Sequence, residues 1–124
     1  MTARNPAHPL IPADRVNGTD VYNQAGEKLG KIEDIAIEKV SGEVAYAILS
    51  FGGFLGLGAK YHPVPWRLLK YDADKRAYTI PLDKAGLEKA PMIDETELSG
   101  WNDELSRDAI YGYYSSYGVG PYWG

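Results

Sequence analysis

The stretch at residues 50–66 constrains this chain more than any other. A run of β-formers ends at Phe51, four glycines follow within seven residues at Gly52, Gly53, Gly56 and Gly58, and the chain leaves through Tyr61-His62-Pro63-Val64-Pro65-Trp66. Proline carries no amide proton and biases the residue before it away from the α region, so no helix starts here. A dinucleotide-binding loop needs Gly-x-Gly-x-x-Gly between a strand and a helix, and these glycines do not fall into that spacing before one. The segment reads as a reversal between two strands, with glycine permitting positive φ and close backbone approach. Pro63 and Pro65 cannot donate to a β-ladder, which puts the second strand at an edge or beside a bulge.

Around this reversal the chain reads as short strands punctuated by turns. Residues 19–22 form a strand, and Asn23-Gln24-Ala25-Gly26-Glu27 reverses it, with Gly26 at positive φ. Residues 29–39 follow, with Ile35 and Ile37 on one face and Ile32 out of phase, which a β-bulge near Glu33-Asp34 corrects. Ser41-Gly42 closes a hairpin onto residues 44–51, whose faces are both apolar and which should be the most buried strand. Residues 68–71 and 76–80 flank the turn Asp72-Ala73-Asp74-Lys75 as another hairpin. This spacing predicts a mainly β fold, a small antiparallel β-barrel over residues 16–82, closed so that no edge is exposed. Ile35, Ile37, Ile48, Leu49 and Val64 are its expected core.

The two ends differ in kind. Residues 1–15 hold Pro6, Pro9 and Pro12 with little to bury and are expected to form an extended arm. Asp83 caps a short helix over residues 84–89, which Pro91 ends. An acidic linker, Asp94-Glu95-Thr96-Glu97, leads to a C-terminal helix. Trp101, Leu105, Ala109 and Tyr113 recur at every fourth residue as its expected apolar face, with Asn102 as cap. Tyr114, Tyr117, Tyr122 and Trp123 continue an aromatic tail, and five of the ten tyrosines lie in residues 111–124. Disordered segments are poor in such residues and interface cores are rich in them. Those eight residues are therefore the candidate interaction surface, laid on the chain's own barrel or exchanged between two copies. The expected organisation is an arm over 1–15, a barrel domain over 16–90, and linker, helix and tail over 91–124.

Composition removes several classes of function. The net charge of −4 disfavours general nucleic-acid binding, which needs a basic face. Without cysteine there is no disulfide, thiolate nucleophile or thiolate metal site. No apolar run is long enough to span a membrane, and the N-terminus has no apolar signal core. A soluble, cytoplasmic protein is the expectation.

Three stretches carry a resemblance. Gly18-Thr19-Asp20-Val21-Tyr22 followed by Gly26-Glu27-Lys28-Leu29-Gly30-Lys31-Ile32-Glu33-Asp34 is one; Gly42-Glu43-Val44-Ala45-Tyr46-Ala47-Ile48-Leu49-Ser50-Phe51-Gly52-Gly53 is the second; Lys60-Tyr61-His62-Pro63-Val64-Pro65-Trp66-Arg67-Leu68-Leu69 is the third. In that order they resemble the PRC-barrel domain, found in the cytoplasmic part of the photosynthetic reaction-centre H subunit and in the C-terminal half of a bacterial ribosome-maturation factor. The aromatic tail is similar to that of free-standing bacterial members. The resemblance implies a barrel adaptor that binds proteins, without chemistry or cofactor of its own. Neither the membrane anchor of the H subunit nor the separate N-terminal domain of the ribosome factor is read here, so neither role is expected whole.

The polar candidates have structural readings beside the chemical ones. Asp34 is expected to accept backbone N–H groups at the bulge, against a proton-relay role suggested by the reaction-centre resemblance. His62 reads as a structural or half-exposed residue, since a metal site needs partner ligands. Asp72 and Asp74 lack the glycine and terminal glutamate of a calcium loop and read as a turn. Gly52, Gly53, Pro65 and Trp66 are expected to be structural, Trp66 by packing at the barrel mouth. No metal site and no enzyme activity are expected. The leading expectation is a protein-docking module that forms a homodimer; the alternative is a carrier for a quinone-like ring in an aromatic-lined barrel mouth.

Overall fold

Six strands carry the fold: β1 Asp20–Tyr22, β2 Lys28–Ile37, β3 Val44–Phe51, β4 Lys60–Pro65, β5 Lys70–Asp72 and β6 Ala77–Thr79. The computed structural model describes residues 10–51, 60–93 and 103–120, with residues 60 and 103–106 as backbone only. Three helices accompany the strands: α1 Ala13–Val16, α2 Lys84–Lys89 and α3 Asp103–Tyr114. The chain is mainly β, one sheet in the order β4-β3-β2-β1-β6-β5 with a C-terminal helix.

Local turn chemistry explains the hairpins. Gly26 (φ 88°) and Gly42 (φ 79°) take the left-handed conformation at the β1–β2 and β2–β3 turns. The first turn is tied further by Asn23, whose side chain donates to Glu27 Oε1 and accepts from Glu27 N, both at 2.8 Å. In β3 the consecutive residues Ala45 to Leu49 are all buried. Directly opposite residues share a face, so Ala47, Leu49, His62, Val64 and Ile32 lie on one side, and Tyr46, Ile48, Pro63 and Pro65 on the other. Both sides are covered, which is why a continuous apolar run was needed.

The bulge lies where the phase of Ile32 demands it, with the β2–β3 register shifting between Ile32 and Asp34. Ile32 is fully buried and Ile35 packs against the core. A second shift, between Ala36 and Ile37, undoes the alternation at the strand end. Ile37 is accordingly 53 % exposed and not part of the core. Gly30 has no room for a side chain: a Cβ there would sit 2.1 Å from the Ser50 carbonyl oxygen of β3.

Three further expectations are corrected. Residues 13–16 form the helical turn α1, so the arm is not extended to residue 15. β1 and β6 pair in parallel, so the sheet is not antiparallel throughout. Nor is the barrel closed among the described residues. The reason lies on the outer edge of β4. Tyr61 exchanges two backbone hydrogen bonds there with Ile93, at 3.3 and 2.8 Å. Main-chain groups alternate sides along a strand, so those of residues 63 and 65 point the same way as those of residue 61. Both residues are proline and have no proton to give. The edge runs out of donors after a single bridge.

Candidate interaction site

Among the described residues, the β5–β6 hairpin carries the most exposed aromatic side chain, Tyr71. Asp72 Oδ1 accepts from the amides of Asp74 (3.0 Å) and Lys75 (3.2 Å), so its carboxylate holds the turn. Arg76 is left-handed (φ 52°) and belongs to the loop, not to the strand that the sequence suggests. The four-residue loop sets the register Asp72 to Ala77, Tyr71 to Tyr78 and Lys70 to Thr79. Tyr71 and Tyr78 therefore share one face, and Lys70 and Thr79 the other. Trp66 leaves Pro65 in a 3-10 turn and meets Tyr78 edge-on at 5.5 Å between centroids; Tyr71 meets Tyr78 edge-on at 5.2 Å. Each such contact adds about 0.5–1.5 kcal/mol beyond area burial. Burial first, and then the neighbouring Tyr71, push the Tyr78 hydroxyl above the usual phenol range. Tyr71 remains 48 % exposed. Pro65 is buried and Trp66 half-buried.

At the Lys70–Thr79 face of the hairpin a cleft of about 350 Å³ opens, its lining including Arg67, Lys70, Thr79, Ile80, Tyr117 and Val119. Its lining mixes cationic, polar and apolar residues with one aromatic ring, Tyr117, and so differs from the aromatic-lined mouth expected for a quinone-like ring.

The C-terminal helix packs on its own chain. Ile110, Tyr111 and Tyr114 are buried, Tyr111 lying 5.7 Å from the Tyr46 ring. Tyr113 is half-buried and its hydroxyl donates to the Gly86 carbonyl of α2 at 2.5 Å. Asp83 Oδ1 caps α2 by accepting from Gly86 N at 2.8 Å. Ala109 faces solvent and Tyr117 is exposed. The expected apolar face is thus corrected. A helix turns once in about 3.6 residues, so strict four-residue spacing slips about 40° at each step. Within the described residues Ala109 therefore falls off the buried stripe, which Ile110, Tyr111 and Tyr114 form at its i, i+1 and i+4 positions. Trp101, Asn102, Tyr122, Trp123, Gly52 and Gly53 lie outside the described residues, as does the side chain of Leu105. Sequence reasoning missed Tyr46, Tyr71, Tyr78, Ile110 and Tyr111. The two hairpin tyrosines were legible by counting outward from a loop that includes Arg76.

Asp34 is exposed and accepts from Ile35 N at 2.8 Å, beside the bulge. His62 is only 1 % exposed, so of the two readings the structural ring fits and the half-exposed one does not. Its Nδ1 lies 3.2 Å from the Pro91 carbonyl, an acceptor only, so Nδ1 carries the proton. Phe51 packs edge-on against the ring at 5.8 Å. Together with the Tyr61–Ile93 bridge this ties residues 91–93 to β4. Burial holds the imidazole below its usual pKa, opposed in part by the Pro91 and Ala90 carbonyls. The folded chain therefore takes up a second ring proton, on Nε2, less readily than the unfolded chain. Stability is expected to be level above about pH 6.5 and to fall as pH drops below that value, towards the depressed folded pKa. Urea midpoints between pH 7.5 and 5 check this. The slope is expected to vanish in His62→Gln; a slope that persists there would assign it elsewhere.

Among the described residues no group of three or more His, Asp or Glu side chains is placed to hold a metal ion. Among them, too, no helix is long and apolar enough to cross a membrane. Compared with known families, residues 9–87 match the model described as the PRC-barrel domain, more than half of the 124-residue chain. No curated protein matches it.

Proposed function

The chain belongs to the PRC-barrel domain family, and from that premise we propose that it is a non-enzymatic docking module of the cytoplasm that binds protein partners and associates with itself. The observation that carries this reading is the Trp66–Tyr78–Tyr71 group, a buried aromatic contact that ends in a tyrosine left half in solvent. Aromatic side chains bring large contact area at small entropic cost, and they anchor interface cores. They also stand on a hairpin whose turn and register are fixed, so the surface is presented without prior ordering.

Affinity purification of the full chain from its source cell, followed by native mass spectrometry of the eluate, tests the reading. A protein partner in simple stoichiometry is expected with the wild type, and its loss is expected with Tyr71→Ser. Elution of a small molecule in place of a protein favours the carrier reading. A partner retained unchanged by Tyr71→Ser removes the aromatic group from the interface.

A further inference from the structure

The sheet has two ends, and they are chemically different. At the β4 end the prolines withhold donors. At the β5 end no strand follows among the described residues. The direction of the β5 main-chain groups follows from its neighbours. Ile80 N donates to Tyr22 O at 3.0 Å, across the side of β6 that faces β1. By alternation Tyr78 also faces β1, and Ala77 and Thr79 face β5. Their partners Asp72 and Lys70 then point their main-chain groups at β6. Tyr71 alone in β5 directs its N–H and C=O outward. Two residues earlier, the Leu69 amide is already used by the Trp66 carbonyl at 3.0 Å.

From this geometry, and resting on the self-association just proposed, we propose that two copies of the chain join through β5, antiparallel about a two-fold axis at Tyr71. Each Tyr71 then donates its N–H to the other's carbonyl, the reciprocal pair of an antiparallel ladder. On one face, Lys70 of each copy lies opposite Asp72 of the other, so unlike charges meet twice. An in-register parallel pairing would instead oppose Lys70 to Lys70 and Asp72 to Asp72, which is unfavourable. On the opposite face the half-exposed Tyr71 rings meet and join the two aromatic groups into one row. A two-fold contact of this kind is self-complementary. The edge is three residues long, so the dimer belongs to the small, transient class of interface.

Sedimentation of the full chain from about 10 µM to about 1 mM reads the result. The wild type is expected to move from monomer towards dimer, and less so at high salt. Tyr71→Pro is expected to stay monomeric and folded, its melting midpoint lowered only by loss of the Tyr71–Tyr78 ring contact, because the Tyr71 amide takes no part in the β5–β6 ladder and proline is tolerated where N–H faces solvent. Lys70→Asp, which sets like charges opposite each other, is expected to weaken the dimer about tenfold. Should Tyr71→Pro fail to fold, Lys70→Asp decides alone. A wild type that is monomeric at the highest concentration overturns the proposal, and if it still captures a protein partner, docking stands without the dimer. Two folded variants as dimeric as the wild type overturn the β5 edge and leave self-association to another surface.

Discussion

Gly30→Ala is expected to cost about 3 kcal/mol or more, a large share of the roughly 5–15 kcal/mol that holds a domain of this size folded. The added methyl would lie 2.1 Å from the Ser50 carbonyl oxygen and 3.1 Å from its carbon. Both are backbone atoms of β3, whose residues 45–49 are buried on either face. Neither can step aside without pulling β2 off β3, the pair that forms the centre of the sheet. The same substitution at Gly112 provides the contrast. Nothing lies within 4 Å of the Cβ position there, and Gly112 sits inside α3. Gly112→Ala is expected to gain about 1 kcal/mol, because alanine loses less backbone freedom in a helix than glycine does. Urea unfolding followed by circular dichroism compares the two. Equal effects would mean that space at Gly30 is not the issue.

Tyr114 is the second site with a large expected effect. It is fully buried, in ring contact with Tyr113 at 5.1 Å and Tyr117 at 6.1 Å, and belongs to the main core cluster. Its hydroxyl has no hydrogen-bond partner among the described residues. Burial pushes that hydroxyl far above the usual phenol range, ahead of the smaller effects of Tyr113 and Tyr117. Removing the ring and removing the oxygen are therefore expected to act in opposite directions. Tyr114→Ala takes away an aromatic side chain from a closed site, at about 3–5 kcal/mol. Tyr114→Phe relieves an unsatisfied polar atom and is expected to stabilise the fold by about 1 kcal/mol. Midpoints from urea titration give the signs, and limited proteolysis between β4 and α3 shows whether the alanine variant frees the helix. A phenylalanine variant less stable than the wild type would mean that the oxygen is bonded in solution.

How much could be read from the chain depended on distance along it. Turns and caps are decided by adjacent residues, so Gly26, Gly42 and Asp83 announced their structures, and β3 and α2 lie over residues 44–51 and 84–89 as expected. The bulge at Glu33–Asp34 was legible because two isoleucines in opposite phase had to be reconciled on one buried face. Pairings between distant segments left no such mark. Nothing local makes β1 run parallel to β6, or sets Tyr111 against Tyr46. Ala109 was placed on the buried face of α3 for a different reason: apolar residues at intervals of four catch the eye, but the buried stripe follows Ile110, Tyr111 and Tyr114. In the candidate site, Trp66 was visible from the start. Its partners Tyr71 and Tyr78 emerged only once the loop was known to contain Arg76.

Proline at residues 63 and 65 also governs how far any assembly of this sheet can grow. A strand-on-strand contact that repeats needs two receptive ends, one to accept the next copy and one to be accepted. Here one end offers a reciprocal pair of main-chain groups and the other is capped by side-chain rings on nitrogen. Joining two copies at the receptive ends buries both of them and leaves two capped ends facing outward. Growth stops at a pair. The chain thereby carries its own terminator against the fibre that an exposed strand otherwise invites.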